Sequence, residues 1–330
     1  MIDAAVMGAG AWGTAFAAHL ARTGKKSLLW VYEEDLLDII RHEKVNAYYL
    51  PGYRLPDTIE CTNDLQRAAD SCTDIIIAVP SFALRSILQS ARDALDGKRI
   101  LLLTKGIERR TFLRVSQIAY DVLGPHAQVA VLSGPSFAQE VVKSSFTSVV
   151  VASSNKNLSL HFQAFTHAET FRVYTADDVV GVELGGAMKN VMAIGAGIIQ
   201  GLHLGNNTLA AYITRALAEV KRLGQAMGAR ETTFMGLSGI GDLILTCTGP
   251  LSRNRAFGIE LITRKPDEIL ASQKTVVEGY YTTDAAYSLA KSLSVEMPIT
   301  EELYRIIYEG KDIITSIGDI QKRDIKEEHL

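Results

Sequence analysis

The chain has 330 residues, enough for two domains at roughly 150 residues each. Its 47% hydrophobic and 22% charged residues exclude disorder for the bulk of the chain, since disorder needs low hydrophobicity and high net charge. A formal net charge of −3 and three scattered cysteines without a C-x-x-C pair argue against a basic nucleic-acid face, a disulfide framework and a thiol metal motif, and they suit a reducing cytoplasm.

In chain order, β-rich runs come first, at 4–7, 27–32, 74–79, 99–104, 128–132 and 148–152. Residues 4–20 are apolar, but Asp3 precedes them and glycines interrupt them, so they read as a strand and a helix rather than a leader. Helical spacing separates several of these runs, at 12–21, 82–94 and 111–122. Such alternation predicts βαβ units and a parallel sheet. The runs 75–79 and 100–103 are continuously apolar, as strands covered on both faces are.

Past Tyr174 the pattern becomes helical, at 178–200, 207–227, 231–234, 255–262, 284–292 and 300–308, with Thr300 the expected N-cap of the last. Residues 179–202 contain Glu183 and Lys189, which suits a buried helix better than a membrane span. The charged stretch 322–330 is expected to fray.

Gly8-Ala9-Gly10-Ala11-Trp12-Gly13 matches G-x-G-x-x-G between a strand and a helix that Gly24 is placed to end. Gly8 permits the tight turn, Gly10 lets the backbone approach a pyrophosphate, and Gly13 permits close helix–strand packing. The phosphate would sit at the helix N-terminus, where unpaired N–H groups and the dipole favour an anion. The expected fold is therefore an α/β, Rossmann-like doubly wound sheet over residues 1–180, followed by an all-α domain over residues 181–330. Glu33 lies twenty residues beyond Gly13, at the end of the second strand. It reads either as the acid that binds the ribose of NAD and repels the 2′-phosphate of NADP, or as the start of a solvated acidic run.

Lys189 is the most unusual side chain, on a helical face shared with Gly185, Gly186 and Ala193. Interior glycines cost about 1 kcal/mol each, so small neighbours imply a cavity or a close backbone. Desolvation there would lower the lysine pKa towards acid/base use. The alternatives are a structural pair with Glu183 and an ammonium snorkelling to solvent. Lys105 ends an apolar strand, and Gly134, Ser136 and Ala138 follow another, where α/β folds place ligand sites, although each stretch taken alone reads more readily as an ordinary loop. Ser252 reads as a helix cap, and Arg253 and Asn254 as a second phosphate grip. Asp242, in an apolar stretch expected to be flexible, is placed to orient Lys189 or a substrate hydroxyl; the alternative for these two stretches is a solvated basic turn and a helix-capping aspartate. The seven histidines, His329 included, show no metal spacing and read as surface or packing residues; no metal is expected.

Taken together, GAGAWGTA, TKGIE, SGPSFAQEV, GVELGGAMKNVMAIGAG, TFMGLSGIGDLILTCTG, SRNR, VVEG and MPITEE resemble the bacterial form of the NAD(P)-dependent glycerol-3-phosphate dehydrogenase family, from Val6 to about Tyr308. The resemblance implies reduction of dihydroxyacetone phosphate to sn-glycerol 3-phosphate with NAD(H) or NADP(H), feeding phospholipid synthesis. It implies Lys189 as proton donor and acceptor, with Lys105 near substrate and nicotinamide. Gly134, Ser136, Asp242 and Thr246 would line the substrate site, with Ser252, Arg253 and Asn254 on the phosphate. Ala11, Trp12, Tyr32, Ala138, Val276 and Glu278 would complete the cofactor site, with Arg253 nearby. It further implies a cytoplasmic homodimer with no nucleic-acid partner and no membrane insertion. Many members carry Arg or His near the end of strand two, where this chain has Tyr32-Glu33-Glu34; dual coenzyme use or a lean towards NADH is expected. The rival readings are a nucleotide-sugar dehydrogenase using Cys247 as nucleophile, a β-hydroxyacid dehydrogenase, and a non-catalytic dinucleotide sensor.

Overall fold

A computed structural model describes residues 1–273, 275–324 and 327. His329 and most of the stretch expected to fray lie outside the described residues. The first part runs β1 (Ala4–Met7), α1 (Ala11–Arg22), β2 (Ser27–Trp30), α2 (Glu34–Glu43), β3 (Val45–Asn46), β4 (Leu50–Arg54), β5 (Ile59–Thr62), α3 (Leu65–Asp70), β6 (Asp74–Ile77), α4 (Ser81–Ser90) and β7 (Arg99–Leu102). It continues with α5 (Val115–Leu123), β8 (Gln128–Ser133), α6 (Ala138–Val142), β9 (Thr147–Ala152), α7 (Lys156–Thr166) and β10 (Phe171–Ala176).

Eight strands form one sheet in the order β10-β9-β8-β7-β6-β1-β2-β5, while β3 and β4 pair as a separate antiparallel hairpin. Side chains alternate across the sheet. Ala4 and Val6 pack with Phe16 and Leu20 on one face, and Ala5 and Met7 pack with Leu84 and Leu88 on the other. Both faces are thus covered, which is why the central strands carry no polar alternation. The strand order reverses between β1 and β6, leaving a crevice beyond their carboxyl ends, where open α/β sheets bind ligands. One expectation needs correction: the sheet is not wholly parallel. β9 pairs antiparallel with β8 and β10 pairs parallel with β9, so these two strands run against the rest.

The second part contains α8 (Val179–Gly201), α9 (Asn206–Ala226), α10 (Glu231–Phe234), a π-helical turn (Leu237–Gly241), α11 (Asp242–Thr248), α12 (Arg253–Glu260), α13 (Pro266–Ser272), α14 (Glu278–Ser292), α15 (Pro298–Tyr308) and α16 (Ile313–Gln321). Among the described residues α8 alone is long and apolar enough to cross a membrane, and 94% of its most apolar window is buried inside this protein. Its glycines are points of close approach. A Cβ on Gly185 would stand 2.2 Å from the Ser238 carbonyl oxygen, and one on Gly197 2.1 Å from that of Arg255. Backbone-to-backbone packing on two sides offsets their low helix propensity.

Three local expectations also change. The stretch expected to be flexible around Asp242 is the π-turn followed by α11. The helix expected from 284 begins at Glu278. Thr300 is not the cap of α15, which starts at Pro298 after Met297. Thr300 instead sits inside the first turn, and its hydroxyl and N–H both donate to the buried Glu219 carboxylate.

Candidate active site

The glycine turn is built by crowding. Gly8 has φ +112°, and a Cβ on it would lie 3.0 Å from the Ala78 carbonyl group of the neighbouring strand end. A Cβ on Gly13 would stand 1.9 Å from the Gly8 oxygen. Gly10 differs, since nothing lies within 4 Å of the place its Cβ would take. It is the cap residue of α1, with no side chain capping the helix, so the first-turn N–H groups at Ala11, Trp12 and Gly13 face that open space. The Trp12 indole N–H is buried without a hydrogen-bond partner among the described residues. An open approach at Gly10 beside uncapped donors fits the pyrophosphate of a dinucleotide.

Beyond β2, Tyr32 is exposed. Glu33 is not part of a freely solvated run, because its Oε1 accepts from the Tyr49 hydroxyl at 2.5 Å. Ala138 opens α6, which packs against α1.

The Lys189 ammonium on α8 donates to Asp242 Oδ1 at 2.5 Å. The Lys105 ammonium beyond β7 donates to Asp242 Oδ2 at 2.8 Å and to the Gly134 carbonyl at 3.3 Å. Ser136 donates to that same carbonyl at 2.9 Å. The Thr246 hydroxyl donates to the Asp242 carbonyl oxygen at 2.6 Å, holding the first turn of α11. Asp242 is completely buried, and both lysine side chains are nearly so. Lys105, Gly134, Ser136, Lys189, Asp242 and Thr246 therefore form one connected group.

Glu183 does not pair with Lys189. Arg114, Ser116 N–H and the Ser116 hydroxyl take its carboxylate. Burial pulls the Lys189 pKa down to about 7; Asp242 opposes that shift and the Lys105 charge adds to it. A group with this pKa exchanges protons readily near neutrality.

The Ser252 group stands apart from these two lysines, with no hydrogen bond joining them among the described residues. Ser252 caps α12 by accepting from Arg255 N–H at 3.2 Å. Arg253 is exposed, makes no side-chain hydrogen bond among the described residues, and lies within electrostatic reach of the Glu278 carboxylate and near the Tyr49 hydroxyl. Asn254 is buried and tied down: its amide donates to Asn190 at 2.9 Å and its oxygen accepts from Gly279 N–H at 2.8 Å. It holds α12 to α8 and α14, leaving one amide proton and its first-turn backbone N–H for a ligand.

Val276 is half-buried just ahead of α14. Glu278 opens α14 and accepts from the Ser81 N–H at 3.0 Å and hydroxyl at 2.6 Å, at the start of α4. Burial pushes its carboxyl pKa up, against those two hydrogen bonds. This joint lies beside Gly106, next to Lys105.

Sequence reasoning missed Ser81, Asn46 and Tyr49. Ser81 lies 197 residues from its partner, and no local signal marks that pairing. The hairpin that carries the other two turns at Ala47-Tyr48-Tyr49, which holds none of the usual turn residues, while Pro51 and Gly52 lie inside β4.

Cys247 is wholly buried, and burial pushes its thiol up to about 12, which opposes a nucleophilic role. Among the described residues no group of three or more His, Cys, Asp or Glu is placed to hold a metal.

Two family models match the chain, the N-terminus of NAD-dependent glycerol-3-phosphate dehydrogenase over residues 3–159 and its C-terminus over residues 178–317. The chain is 45% identical over 328 residues to glycerol-3-phosphate dehydrogenase (NAD(P)+) of Citrifermentans bemidjiense, covering 98% of both chains. It is 47% identical over 332 residues to that of Geobacillus kaustophilus, covering 99% of this chain and 96% of that one. The crystal structure of glycerol-3-phosphate dehydrogenase from Coxiella burnetii superposes with a TM-score of 0.93 at 41% identity, covering 98% of this chain and 99% of the other.

Proposed function

The chain belongs to the NAD-dependent glycerol-3-phosphate dehydrogenase family, and from that membership we infer how its own residues carry the reaction. It is an oxidoreductase that interconverts dihydroxyacetone phosphate and glycerol 3-phosphate with NAD(H) or NADP(H). The nicotinamide, when bound, supplies or takes up the hydride at the substrate's central carbon.

Lys189 gives a proton to the oxygen on that carbon during reduction and removes it during oxidation. Its burial supports this role, because an ammonium with a pKa near 7 is a far better acid than an exposed lysine. Asp242 holds Lys189 and Lys105 on its two oxygens, so both ammonium groups point into one space. Lys105, anchored also on the Gly134 carbonyl, polarises the ketone and offsets charge on the developing alkoxide. Ser136 and Thr246 shape the wall around it.

Arg253 grips the substrate phosphate, together with the first-turn N–H groups of α12 that Ser252 leaves unpaired; a helix N-terminus and a guanidinium both favour that anion. Gly8, Gly10, Ala11, Trp12 and Gly13 hold the pyrophosphate, and Tyr32, Ala138, Val276 and Glu278 complete the cofactor site. Glu33 reads the ribose and tilts the enzyme towards NADH. Residues 1–180 form the cofactor domain and residues 181–330 the substrate domain. We place the enzyme in the cytoplasm as a homodimer supplying glycerophospholipid synthesis.

The observation that carries this reading is the single buried carboxylate shared by two lysines, one just beyond β7 and one on α8. The test is NADH oxidation with dihydroxyacetone phosphate against unphosphorylated dihydroxyacetone. A strong preference for the phosphorylated ketone supports it, and equal rates oppose it.

A further inference from the structure

We propose that Tyr49 is a positioning residue for coenzyme selectivity, its hydroxyl fixing the Glu33 carboxylate beside the glycine turn. The proposal rests on the reading of Glu33 as the ribose-binding acid and names what holds that acid in place.

Tyr49 stands between β3 and β4, and the hairpin is rooted in the glycine turn by one buried side chain. The Asn46 amide donates to the Ala9 carbonyl at 2.7 Å and to the Thr14 hydroxyl oxygen at 2.8 Å. The Asn46 side-chain oxygen accepts the Tyr49 N–H at 2.9 Å. A single amide thus sets the Tyr49 backbone relative to both the turn and α1. The Tyr49 ring packs against the core on that face of the sheet.

From that fixed base, the Tyr49 hydroxyl donates to Glu33 Oε1 at 2.5 Å, a length expected of a charge-assisted hydrogen bond. Glu33 lies just beyond β2, as the cap residue of α2 with an extended backbone. Glutamate carries substantial rotamer freedom, so an unheld carboxylate there would swing towards solvent. Held, it presents a fixed negative charge, which accepts from a ribose hydroxyl and repels a 2′-phosphate. The adjacent Tyr48 makes the equivalent bond to Asp35 instead, which provides an internal comparison.

The experiment is isothermal titration calorimetry of the full-length protein with NADH and with NADPH, in the absence of substrate. The readout is the ratio of the two dissociation constants. Wild type favours NADH. Glu33→Gln narrows the ratio by about tenfold or more, and Tyr49→Phe narrows it by about three- to tenfold in the same direction, the net size of one ordinary hydrogen bond, because the carboxylate itself remains. In the Glu33→Gln background, Tyr49→Phe adds nothing, because the two act through one carboxylate. Tyr48→Phe leaves the ratio unchanged. If Tyr49→Phe moves both affinities by the same factor, or shifts the ratio equally with and without Glu33, Tyr49 only packs and the proposal falls. If Glu33→Gln itself leaves the ratio unchanged, the underlying reading of Glu33 fails instead. Tyr49→Met, which keeps apolar bulk without the hydroxyl, gives the same readout should the phenylalanine variant fold poorly.

Discussion

Lys189 and Asp242 lie 53 residues apart in the chain and 2.5 Å apart in space, and the other oxygen of the same carboxylate holds Lys105. The arrangement places a desolvated ammonium against its only carboxylate partner among the described residues, with a second positive charge alongside. Burial then lowers the Lys189 pKa to about 7, even with the Asp242 charge opposing the shift.

Opposite pH limbs follow in the two directions. Reduction needs protonated Lys189, so kcat/KM for dihydroxyacetone phosphate falls as pH rises through about 7. Oxidation needs the neutral amine, so kcat/KM for glycerol 3-phosphate rises through the same region. Lys189→Ala lowers kcat by about 10²–10⁴, the range for a general acid or base, and removes both limbs. A loss below tenfold, or limbs that survive the substitution, would take Lys189 out of the chemistry.

Asp242→Asn removes the charge that stabilises the Lys189 ammonium. The reduction limb moves to lower pH, because the group raising the lysine pKa is gone while burial and Lys105 still lower it. An unshifted limb accompanied by lost activity would mean that Asp242 acts on substrate rather than on Lys189.

Arg253 is exposed and makes no side-chain hydrogen bond among the described residues, so Arg253→Ala leaves the melting temperature nearly unchanged. It weakens dihydroxyacetone phosphate by about 1.5–3 kcal/mol, as for a charged hydrogen bond, without affecting unphosphorylated dihydroxyacetone. Equal losses with both ketones would disprove the phosphate grip.

Gly10 and Gly185 separate ligand space from packing space. Gly10→Ala meets no atom within 4 Å and has a backbone any residue adopts. Stability shifts by no more than about 1 kcal/mol, while NADH affinity drops because the methyl group occupies the approach to the turn. Gly185→Ala drives a methyl group into the Ser238 carbonyl and destabilises by about 1–3 kcal/mol or more, as overpacking does. Thermal melting and NADH titration of both variants check the contrast.

Glu219 predicts a pH dependence of stability unrelated to catalysis. Burial pushes its carboxyl up to about 7, against hydrogen bonds from the start of α15. An unfolded glutamate titrates at about 4.3, so folding favours the protonated form. The stabilisation is complete below the unfolded value and is lost as pH rises through about 7. The stability advantage of wild type over Glu219→Gln should therefore shrink between pH 5 and pH 8, by on the order of 1.5–3 kcal/mol. A constant difference in denaturant unfolding would show that the carboxyl does not titrate in this range.

Local pattern was sufficient for the glycine turn, the central strands, the buried helix α8 and the Ser252 cap. Each depends on neighbours a few residues apart: a strand-to-helix turn with Gly at fixed offsets, continuous apolar runs, small residues on one helical face, a hydroxyl before the first turn. The hairpin β3–β4 and the helices α11 and α13 were not legible. Leu50-Pro51-Gly52-Tyr53-Arg54 is poor strand sequence that forms only by pairing with β3, and α11 grows out of a π-turn packed against α8.

The sequence alone therefore determined that a glycine-rich strand-to-helix turn precedes a helical part with Lys189 on a face of small residues, because backbone periodicity and glycine sterics act over a single turn or strand. Only the tertiary structure decided which carboxylate meets that lysine. Glu183 was the nearer in sequence, yet Arg114 and Ser116 hold it, and Asp242 comes to Lys189 because the backbone of α8 at Gly185 lies directly against the π-turn ahead of α11. Ion pairs are selected by distance after the chain has packed, and a buried charge keeps whichever partner that packing brings within reach.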